Sequence, residues 1–351
     1  MGFYNLAASL VKLLPPEAAH RATIRALRLG LGPVSLHRDD PVLETEVGGL
    51  FLPNPVGLAA GFDKDAEVPD AMLAMGFGFV ECGSVTPHPQ AGNPGPRLFR
   101  LAEDKAIINR MGFNSAGMEH FRSCLEGRRP NPGLVGANLG ANRDSADRVA
   151  DYVTGLKTLW GLADYFTVNI SSPNTPGLRG LQSGDAMDDL LGRVQEARQE
   201  LTGDAPSVPV FLKVAPDIEL PDVERITQQA RTYGINAIIV SNTTIARPDT
   251  LESPHASEAG GLSGAPLMKK STLMLKEFAA AARGRIDLIG VGGITGGADA
   301  YAKIRAGARA VQLYSALVYH GPALVRTIKR DLAARLKADG FNSVAEAVKT
   351  A

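Results

Sequence analysis

The sequence contains little cysteine, no excess of either charge and no long apolar run. Its 2 cysteines in 351 residues are too few for a disulfide framework, an iron–sulfur cluster or a cysteine-rich zinc site. The 37 basic residues balance 37 acidic residues, whereas nucleic-acid-binding proteins usually carry a basic excess. No apolar stretch approaches the roughly 20 residues of a membrane-spanning helix. The sequence therefore predicts a reduced, intracellular globular protein that binds no nucleic acid.

Positive charge is concentrated at the amino terminus. Residues 1–38 carry five basic side chains against one acidic side chain, which gives a local charge of +4. Apolar residues recur at helical spacing from Phe3 to Leu14, Pro15-Pro16 interrupts the pattern, and a second helical stretch runs from Glu17 to Leu29. A basic amphipathic pair of helices is suited to a membrane interface. The alternative interpretation is a pair of helices that packs on the main domain.

From residue 54 onward, short apolar runs alternate with longer stretches of helical periodicity. The apolar runs are Pro55–Ala60, Phe79–Val85, Leu134–Leu139, Tyr165–Ile170, Val210–Ala215, Ala237–Ser241, Leu288–Gly292 and Ala310–Tyr314. The helical stretches are Ala66–Met75, Ser115–Leu125, Ala146–Leu159, Asp185–Leu201, Asp222–Tyr233, Leu267–Ala282, Ala298–Ala306 and Pro322–Leu336. Near-continuous apolar strands separated by helices indicate a parallel sheet that is buried on both faces. Eight such units predict a (β/α)8 TIM barrel, with an open doubly wound sheet as the alternative.

Active sites of such barrels lie at the carboxyl ends of the strands. In this sequence those ends carry glycine, hydroxyl, amide and lysine side chains, including Ser84, Asn138, Asn169 and Ser241. Amides and hydroxyls of this kind match the hydrogen-bonding edges of a heterocycle. Glycines and hydroxyls after the seventh and eighth strands occupy the corner where barrels often bind phosphate. No His, Asp and Glu cluster with metal-ligand spacing occurs at these ends, which disfavours a metal-dependent mechanism.

Two lysines also fall at strand ends. Lys64 follows the first strand, and Lys213 lies inside the apolar run Val210–Val214. A lysine that points into a barrel must either pair with a negative group or act as a Schiff-base amine. An anionic reduced flavin would equally require such a cation nearby. The residues alone leave these alternatives open.

Five motifs, in order along the chain, carry a family resemblance. They are Ala60–Lys64, Asn109–Asn114, Val168–Arg179, Ser241–Thr244 and Gly261–Gly264. These segments resemble active-site segments of the dihydroorotate dehydrogenases. Within that family the chain resembles class 2, the membrane-associated, quinone-linked branch. Ser172 stands where class 1 has a cysteine base, and an amino-terminal helical extension is present.

The resemblance implies an FMN enzyme of pyrimidine biosynthesis, a (β/α)8 barrel with an amino-terminal two-helix amphipathic extension. Such an enzyme oxidises (S)-dihydroorotate to orotate. Ring carbon 6 gives a hydride to the flavin and ring carbon 5 gives a proton to a base, and ubiquinone or another membrane quinone then receives the electrons. The resemblance also implies a peripheral protein at the cytoplasmic face of the inner membrane, with no iron–sulfur partner subunit.

By position, the resemblance assigns catalytic roles to Ser172 as the base and to Lys64 and Lys213. The implied FMN residues are Ala60, Gly61, Phe62, Asp63, Lys64, Ser84, Asn138, Asn169, Lys213, Ser241, Gly264, Gly293, Tyr314 and Ser315. The implied substrate residues are Lys64, Asn109, Arg110, Met111, Gly112, Phe113, Asn169, Asn174, Asn242 and Thr243. The implied quinone residues are His20, Arg100 and Tyr314, with Leu6, Leu10, Leu13 and Leu14 along an apolar route.

We expect three regions in the chain. Residues 1–40 form a helical segment for membrane and quinone access, residues 41–340 the FMN-binding barrel, and residues 341–351 a C-terminal tail. Two other functions stay open on the residues alone, a Schiff-base lyase that uses Lys213 and a non-catalytic barrel that binds membranes. The Ser171–Gly184 loop is either a lid that closes over the site or a static surface loop.

Overall fold

The computed structural model describes residue 11 and residues 13–130, 133–204 and 206–348. The strands are β1 (Thr45–Val47), β2 (Leu50–Leu52), β3 (Val56–Leu58), β4 (Phe79–Val85), β5 (Leu98–Leu101), β6 (Ala106–Asn109), β7 (Leu134–Leu139), β8 (Tyr165–Asn169), β9 (Val210–Val214), β10 (Ala237–Val240), β11 (Gly261–Gly264), β12 (Asp287–Val291) and β13 (Ala310–Leu313). A closed barrel forms in the order β3-β4-β7-β8-β9-β10-β12-β13, and β13 pairs back with β3 in parallel register.

The barrel confirms the fold predicted from the apolar runs. All five residues of β9 are buried, as are all five of β8, because each strand faces the barrel interior on one side and the helices on the other. The bounds of β4 and β7 match the expected runs, and the other barrel strands lie within the expected runs or begin one residue earlier. Closure between β3 and β13 excludes the open-sheet alternative.

The helices surround the barrel and continue at both ends of the chain. They are α1 (Pro16–Arg28), α2 (Pro69–Ala74), α3 (Met118–Glu126), α4 (Arg148–Leu159), α5 (Gly184–Thr202), α6 (Leu220–Thr232), α7 (Met268–Ala282), α8 (Gly297–Arg305), α9 (Ser315–His320), α10 (Ala323–Ala338) and α11 (Val344–Ala347). Shorter 3-10 turns occupy Pro41–Leu43, Leu178–Gln182 and Ala265–Leu267. The helix expected from Phe3 to Leu14 lies mostly outside the described residues.

Helix α1 packs on the mouth of the barrel. It begins at Pro16, a residue whose fixed φ suits the first position of a helix, and it buries Ile24 and Leu27. Glu17 at its start pairs with Arg97, which lies just before β5, at 2.7 Å. Arg21 and Arg25 of α1 are exposed, whereas Arg28 pairs with Glu67 in the loop after β3. The amino-terminal segment is therefore both attached to the barrel and positively charged on its free side.

Two small sheets that the sequence pattern does not predict lie at the two ends of the barrel. The antiparallel hairpin β1–β2 covers the amino-terminal end, where Val47 and Leu52 pack with Phe79 and Phe211. The antiparallel sheet β11-β6-β5 stands at the opposite end. Its register places Asn109 beside Gly261, so two of the family motifs meet there.

The end of the described chain also packs on the barrel. Helix α11 contacts α8 and β1, and its Val344 and Ala347 are fully buried. The part of the expected C-terminal tail that is described, residues 341–348, is therefore folded against the barrel.

Candidate active site

A cavity of about 450 Å³ opens at the carboxyl ends of the barrel strands. This volume falls within the roughly 300–1,000 Å³ of small-molecule and cofactor sites. The cavity runs continuously from Ala19 and Thr23 on α1 to Ser172 and Asn242 at the strand ends. Ile107 and neighbouring residues of the β5–β6–β11 sheet form another wall.

Most of the predicted site residues line this one cavity. They are His20, Ala60, Gly61, Phe62, Lys64, Ser84, Arg100, Asn109, Met111, Gly112, Phe113, Asn169, Ser172, Asn174, Lys213, Ser241, Asn242, Thr243, Gly264, Gly293, Tyr314 and Ser315. Asp63, Arg110 and Asn138 do not line it. The structure thus brings together residues from nearly every strand end of the barrel.

The side chains of Asp63 and Arg110 have partners away from the cavity. Asp63 accepts hydrogen bonds from the backbone N–H groups of Glu67 and Val68, both at 2.8 Å, and burial raises its pKa to about 6. Arg110 forms an ion pair with Glu258 at 2.7 Å. Asp63 therefore holds the loop after β3, and Arg110 ties the end of β6 to the loop before β11.

Asn138 supports the cavity from beneath. It is fully buried, donates from Nδ2 to Oε1 of Glu81 at 2.7 Å, and accepts from Nδ2 of Asn169 at 3.1 Å. The hydroxyl of Ser84 donates to Asn138 and accepts from Asn169 at 2.9 Å. Since each donor and acceptor in this network has a defined partner, Ser84 and Asn169 are held in one orientation where they line the cavity.

Ser172 follows β8 and is 6% exposed. Its Oγ accepts a hydrogen bond from the backbone N–H of Asn174 at 3.2 Å, so the hydroxyl keeps its own proton to donate. The amide of Asn174 donates to Oδ1 of Asn109 at 3.2 Å, and the amide of Asn242 donates to Oγ of Ser171 at 2.9 Å. A hydroxyl and three amide side chains therefore share one wall.

The lysine in β9 pairs with a carboxylate to which the sequence analysis gave no role. Nζ of Lys213 lies 3.4 Å from Oε1 of Glu81, and the two residues are 4% and 0% exposed. Of the alternatives for an inward lysine, the structure supports ion pairing over a free Schiff-base amine. The signal in the sequence was the charged Glu81 in the middle of the apolar run Phe79–Val85.

Lys64 is the second cation of the cavity. It donates a hydrogen bond to the carbonyl of Gly61 in the loop after β3. Burial lowers the pKa of Lys64 to about 8, although the carboxylates of Asp65 and Glu17 oppose that shift. The Lys64 side chain is therefore mostly protonated at neutral pH and loses its proton as the pH rises through about 8.

Several polar atoms of the lining are arranged for a ligand. Among the described residues, Oδ1 of Asn114, Oγ1 of Thr243 and Oε1 of Gln312 are buried without a hydrogen-bond partner, and all three residues line the cavity. Buried polar atoms are normally paired. A Cβ added at Gly61 would meet only the ring of Tyr314, at 3.9 Å, so this backbone is open to the cavity. The lining fits a ligand with several hydrogen-bonding edges that approaches the backbone closely.

The comparison with protein families decides what kind of barrel this is. The family model described as dihydroorotate dehydrogenase matches residues 42–336. This chain belongs to the dihydroorotate dehydrogenase family. The match spans every strand of the barrel and all the motifs that carried the resemblance.

Relatives at high identity come from the quinone-linked class. A protein named dihydroorotate dehydrogenase (quinone) from Azorhizobium caulinodans is 55% identical over 351 residues, with 99% of each chain covered. A protein of the same name from Parvibaculum lavamentivorans is 53% identical, covering 99% of this chain and 98% of the relative. The crystal structure of DHODH from Eimeria tenella in complex with ferulenol is similar at a TM-score of 0.91 and 40% identity, covering 96% of this chain and 95% of that chain. These findings confirm the class 2 resemblance.

In this family member, three rings meet where α1 faces the barrel. The ring centres of His20 and Phe62 are 5.5 Å apart, as are those of Phe62 and Tyr314, and the Tyr314 hydroxyl lies 3.2 Å from Nδ1 of His20. Burial, aided by the charge of Lys64, lowers the pKa of His20 to about 3. Burial raises the pKa of Tyr314. Imidazole and phenol are therefore both uncharged at neutral pH.

The apolar route predicted from the leucines differs in the structure. Leu6 and Leu10 lie outside the described residues. Leu13 and Leu14 are 81% and 41% exposed and do not line the cavity, so the prediction was wrong for these two. Both belong to the turn before α1, where the helical spacing no longer sets the direction of a side chain. Val11 lines the cavity instead.

Arg179 braces the loop that carries Ser172. Its Nε donates to the carbonyl of Ser171 at 3.1 Å, its Nη2 to the carbonyl of Thr243 at 3.2 Å, and its Nη1 to Asp217 at 3.0 Å. These contacts join the loops after β8, β9 and β10. Arg179 lies in the Val168–Arg179 motif, but the sequence pattern indicates no role for it. For the Ser171–Gly184 loop, a lid and a static surface loop stay the two alternatives.

Across residues 11, 13–130, 133–204 and 206–348, no group of three or more His, Cys, Asp or Glu side chains is arranged to hold a metal ion. In the same part of the chain, none of the helices has the length and apolarity needed to cross a bilayer. Cys82 is buried and Cys124 partly buried, and both are free thiols.

Proposed function

We propose that this protein oxidises (S)-dihydroorotate to orotate, with FMN as hydride acceptor and a membrane quinone as final electron acceptor, in pyrimidine biosynthesis. The observation that carries the proposal is the continuous cavity from α1 to the strand ends. It allows substrate near Ser172 and quinone near His20 to reach one cofactor from different sides. The family and the quinone-linked relatives support the same reaction.

FMN is the flavin proposed for the strand ends. The backbones of Gly264 and Gly293 and the hydroxyl of Ser315 would hold its phosphate. A Cβ on Gly293 would lie 2.3 Å from the backbone of Met268, so glycine alone lets this loop lie against α7. When bound, FMN accepts the hydride from the substrate and passes two electrons to the quinone. Lys213 would supply positive charge beside the ring system.

Dihydroorotate would lie against the wall of amides. Asn109, Asn174 and Asn242 each offer a donor and an acceptor in one plane, which matches the amide edges of the substrate ring. The unpartnered Oγ1 of Thr243 would add a further hydrogen bond. Lys64 would attract the substrate carboxylate and the charge that develops during oxidation.

Ser172 would remove the proton from ring carbon 5. An alcohol is a weak base, so a water molecule or a neighbouring hydroxyl must relay the proton as the charge on the ring is delocalised. The N–H of Asn174 holds the Ser172 oxygen in place at 3.2 Å. The loop contacts of Arg179 would keep that geometry during the reaction.

The quinone head group would lie near His20, Arg100 and Tyr314. With the Tyr314 hydroxyl at Nδ1 of a neutral His20, the imidazole can carry its proton on Nε2 and donate to a quinone carbonyl. Arg100 also lines the cavity and donates to the carbonyl of Leu14. These residues stand at the side of the cavity formed by α1.

Binding of orotate should weaken as the pH rises through about 8. Lys64 loses its proton there in the folded protein, because burial stabilises the neutral amine, and orotate remains an anion. The dissociation constant of orotate, followed by the change in flavin absorbance between pH 6.5 and 9.5, tests this. In the Lys64→Met variant the dissociation constant of orotate should be larger than in the unaltered enzyme, and it should not change between pH 6.5 and 9.5. An affinity of the unaltered enzyme that stays constant to pH 9.5 would contradict the role of Lys64.

We also propose that residues 1–40 bind the membrane surface and admit the quinone, that residues 41–340 form the catalytic barrel, and that residues 341–351 are the C-terminal tail. Leu29, Val34 and Leu36 are 76%, 65% and 90% exposed, and Arg21 and Arg25 of the preceding helix α1 are exposed as well. Apolar side chains flanked by positive charge suit an anionic bilayer. The protein would act as a peripheral protein at the cytoplasmic face of the inner membrane, without an iron–sulfur partner subunit.

Replacing Leu29, Val34 and Leu36 together by serine should reduce binding to anionic liposomes by at least about tenfold, since each buried aliphatic side chain contributes roughly 1.5–3 kcal/mol. Flotation of the purified protein with the vesicles measures the bound fraction.

A matched control carries serine at Leu220, Ile245 and Leu273, which are 60%, 57% and 52% exposed on another surface of the barrel. This control should bind as the unaltered protein does. Equal loss in both triple variants would show that general surface apolarity, and not the α1 region, binds the membrane.

The cofactor proposal is tested by the purified protein itself. We expect a yellow protein that releases one FMN per chain on denaturation, identified by mass and by absorbance. A colourless protein that forms a borohydride-stable adduct at Lys213 would support the lyase alternative instead. A protein that binds liposomes but no flavin would support the non-catalytic alternative.

A further inference from the structure

Glu81 lies in the interior of the barrel with no exposed surface. It accepts hydrogen bonds from four different barrel strands. Oε1 accepts from Asn138 at 2.7 Å and from Lys213 at 3.4 Å, and Oε2 accepts from Gln312 at 2.8 Å and Thr167 at 3.2 Å. The carboxylate is thus the centre of a polar cluster directly beneath the cavity lined by Lys213 and Gln312.

Stability alone does not account for this carboxylate. Replacing a buried ion pair by apolar residues of similar volume is often neutral or stabilising, so a charged pair in a barrel core needs another reason. Among the described residues, Lys213 is the single cation within ion-pair distance of Glu81, and the other three partners are neutral. The charge of Glu81 therefore acts mainly on Lys213.

We propose that Glu81 is a positioning residue that sets the reduction potential of the bound flavin through Lys213. The inference rests on the proposed function, in which Lys213 faces the flavin. The Glu81–Lys213 pair has no net charge, so negative charge gained by the flavin on reduction is attracted by the lysine and repelled by the carboxylate. Glu81 thereby lowers the potential and keeps the reduced cofactor an effective donor to quinone.

The geometry suits this role. The contact to Lys213, at 3.4 Å, is the longest of the four, so the ammonium is held near Glu81 yet can be shared with a ligand in the cavity. Asn138 connects the same carboxylate to Ser84 and Asn169, which line the cavity. Glu81 therefore orients both the cation and the amide side of the cofactor site.

The test is a spectroelectrochemical titration of the FMN-loaded protein and of Glu81→Gln. Glutamine keeps the volume and can still accept and donate hydrogen bonds, but it leaves the charge of Lys213 uncompensated. We expect the midpoint potential of the variant to be more positive than that of the unaltered enzyme. In stopped flow, reduction by dihydroorotate should be faster and reoxidation by quinone slower. A potential that is unchanged or more negative would overturn the proposal.

Thr167→Val is the matched control, because it removes one neutral hydrogen bond from the same carboxylate and keeps both charges. Its potential should equal that of the unaltered enzyme, and a shift as large as that of Glu81→Gln would overturn the charge argument. If Glu81→Gln does not fold, Glu81→Asp replaces it, because the shorter side chain draws the charge away from Lys213. The midpoint potential of Glu81→Asp should then shift positively, but by less than that of Glu81→Gln. An unshifted potential would again overturn the proposal. Failure of the proposed function looks different, since the unaltered protein would then hold no FMN or would not be reduced by dihydroorotate.

Discussion

Replacing Ser172 by alanine should slow reduction of the bound flavin by dihydroorotate by about 100- to 10,000-fold, the usual loss when a general base is removed. The hydroxyl lines the cavity, and the N–H of Asn174 holds its oxygen at 3.2 Å. Anaerobic stopped flow, which follows the loss of oxidised-flavin absorbance after mixing with dihydroorotate, measures the rate.

Two controls separate chemistry from damage to the site. Orotate should bind Ser172→Ala with nearly unchanged affinity, because the amides of Asn109, Asn174 and Asn242 remain. Ser172→Cys should react faster than the alanine variant, because the thiol restores a group that can relay a proton. A thiol is also a stronger acid than an alcohol, so part of it is thiolate, which can accept the proton. Reduction of Ser172→Ala within a few fold of the unaltered rate would remove Ser172 from the proposed mechanism.

The second large effect concerns stability. Replacing Lys213 by methionine should lower the free energy of unfolding by about 3–5 kcal/mol, because it leaves Glu81 charged, fully buried and without its cation. The hydrogen bonds from Asn138, Thr167 and Gln312 offset only part of that cost. Urea denaturation of the FMN-free protein at pH 7, followed by circular dichroism, gives the change.

The double variant Lys213→Met, Glu81→Gln provides the control. With both charges gone it should recover most of the lost stability, since the cost arises from one uncompensated charge and not from the lost contact. A double variant as unstable as Lys213→Met, or a single variant as stable as the unaltered protein, would contradict the ion pair as the reason that both residues are buried.

The barrel could be predicted because each of its strands is buried on both faces. That burial makes runs such as Phe79–Val85 and Leu134–Leu139 almost continuously apolar, and helices must separate parallel strands. The β5–β6–β11 sheet could not be predicted in the same way. Its strands are four residues long, and β6 pairs with a partner more than 150 residues away, which no local pattern records.

In the candidate site, too, local sequence patterns could predict some residues and not others. The position of Ser172 and Lys213 at the cavity could be predicted because active sites of barrels lie at strand ends, whatever the loops do. Glu81 and Arg179 were missed because their roles depend on partners that only folding brings near, such as Lys213 132 residues away and Thr243 64 residues away. Leu13 and Leu14 were misplaced because helical spacing was extended into a turn.

We propose that one flavin in this cavity connects dihydroorotate to a quinone. Anaerobic double mixing tests it most directly, with dihydroorotate added first and a short-chain ubiquinone or NAD added second. We expect that dihydroorotate bleaches the flavin, that the quinone restores its absorbance and that NAD does not. A flavin that stays oxidised with dihydroorotate, or that NAD reoxidises as fast as the quinone, would contradict it.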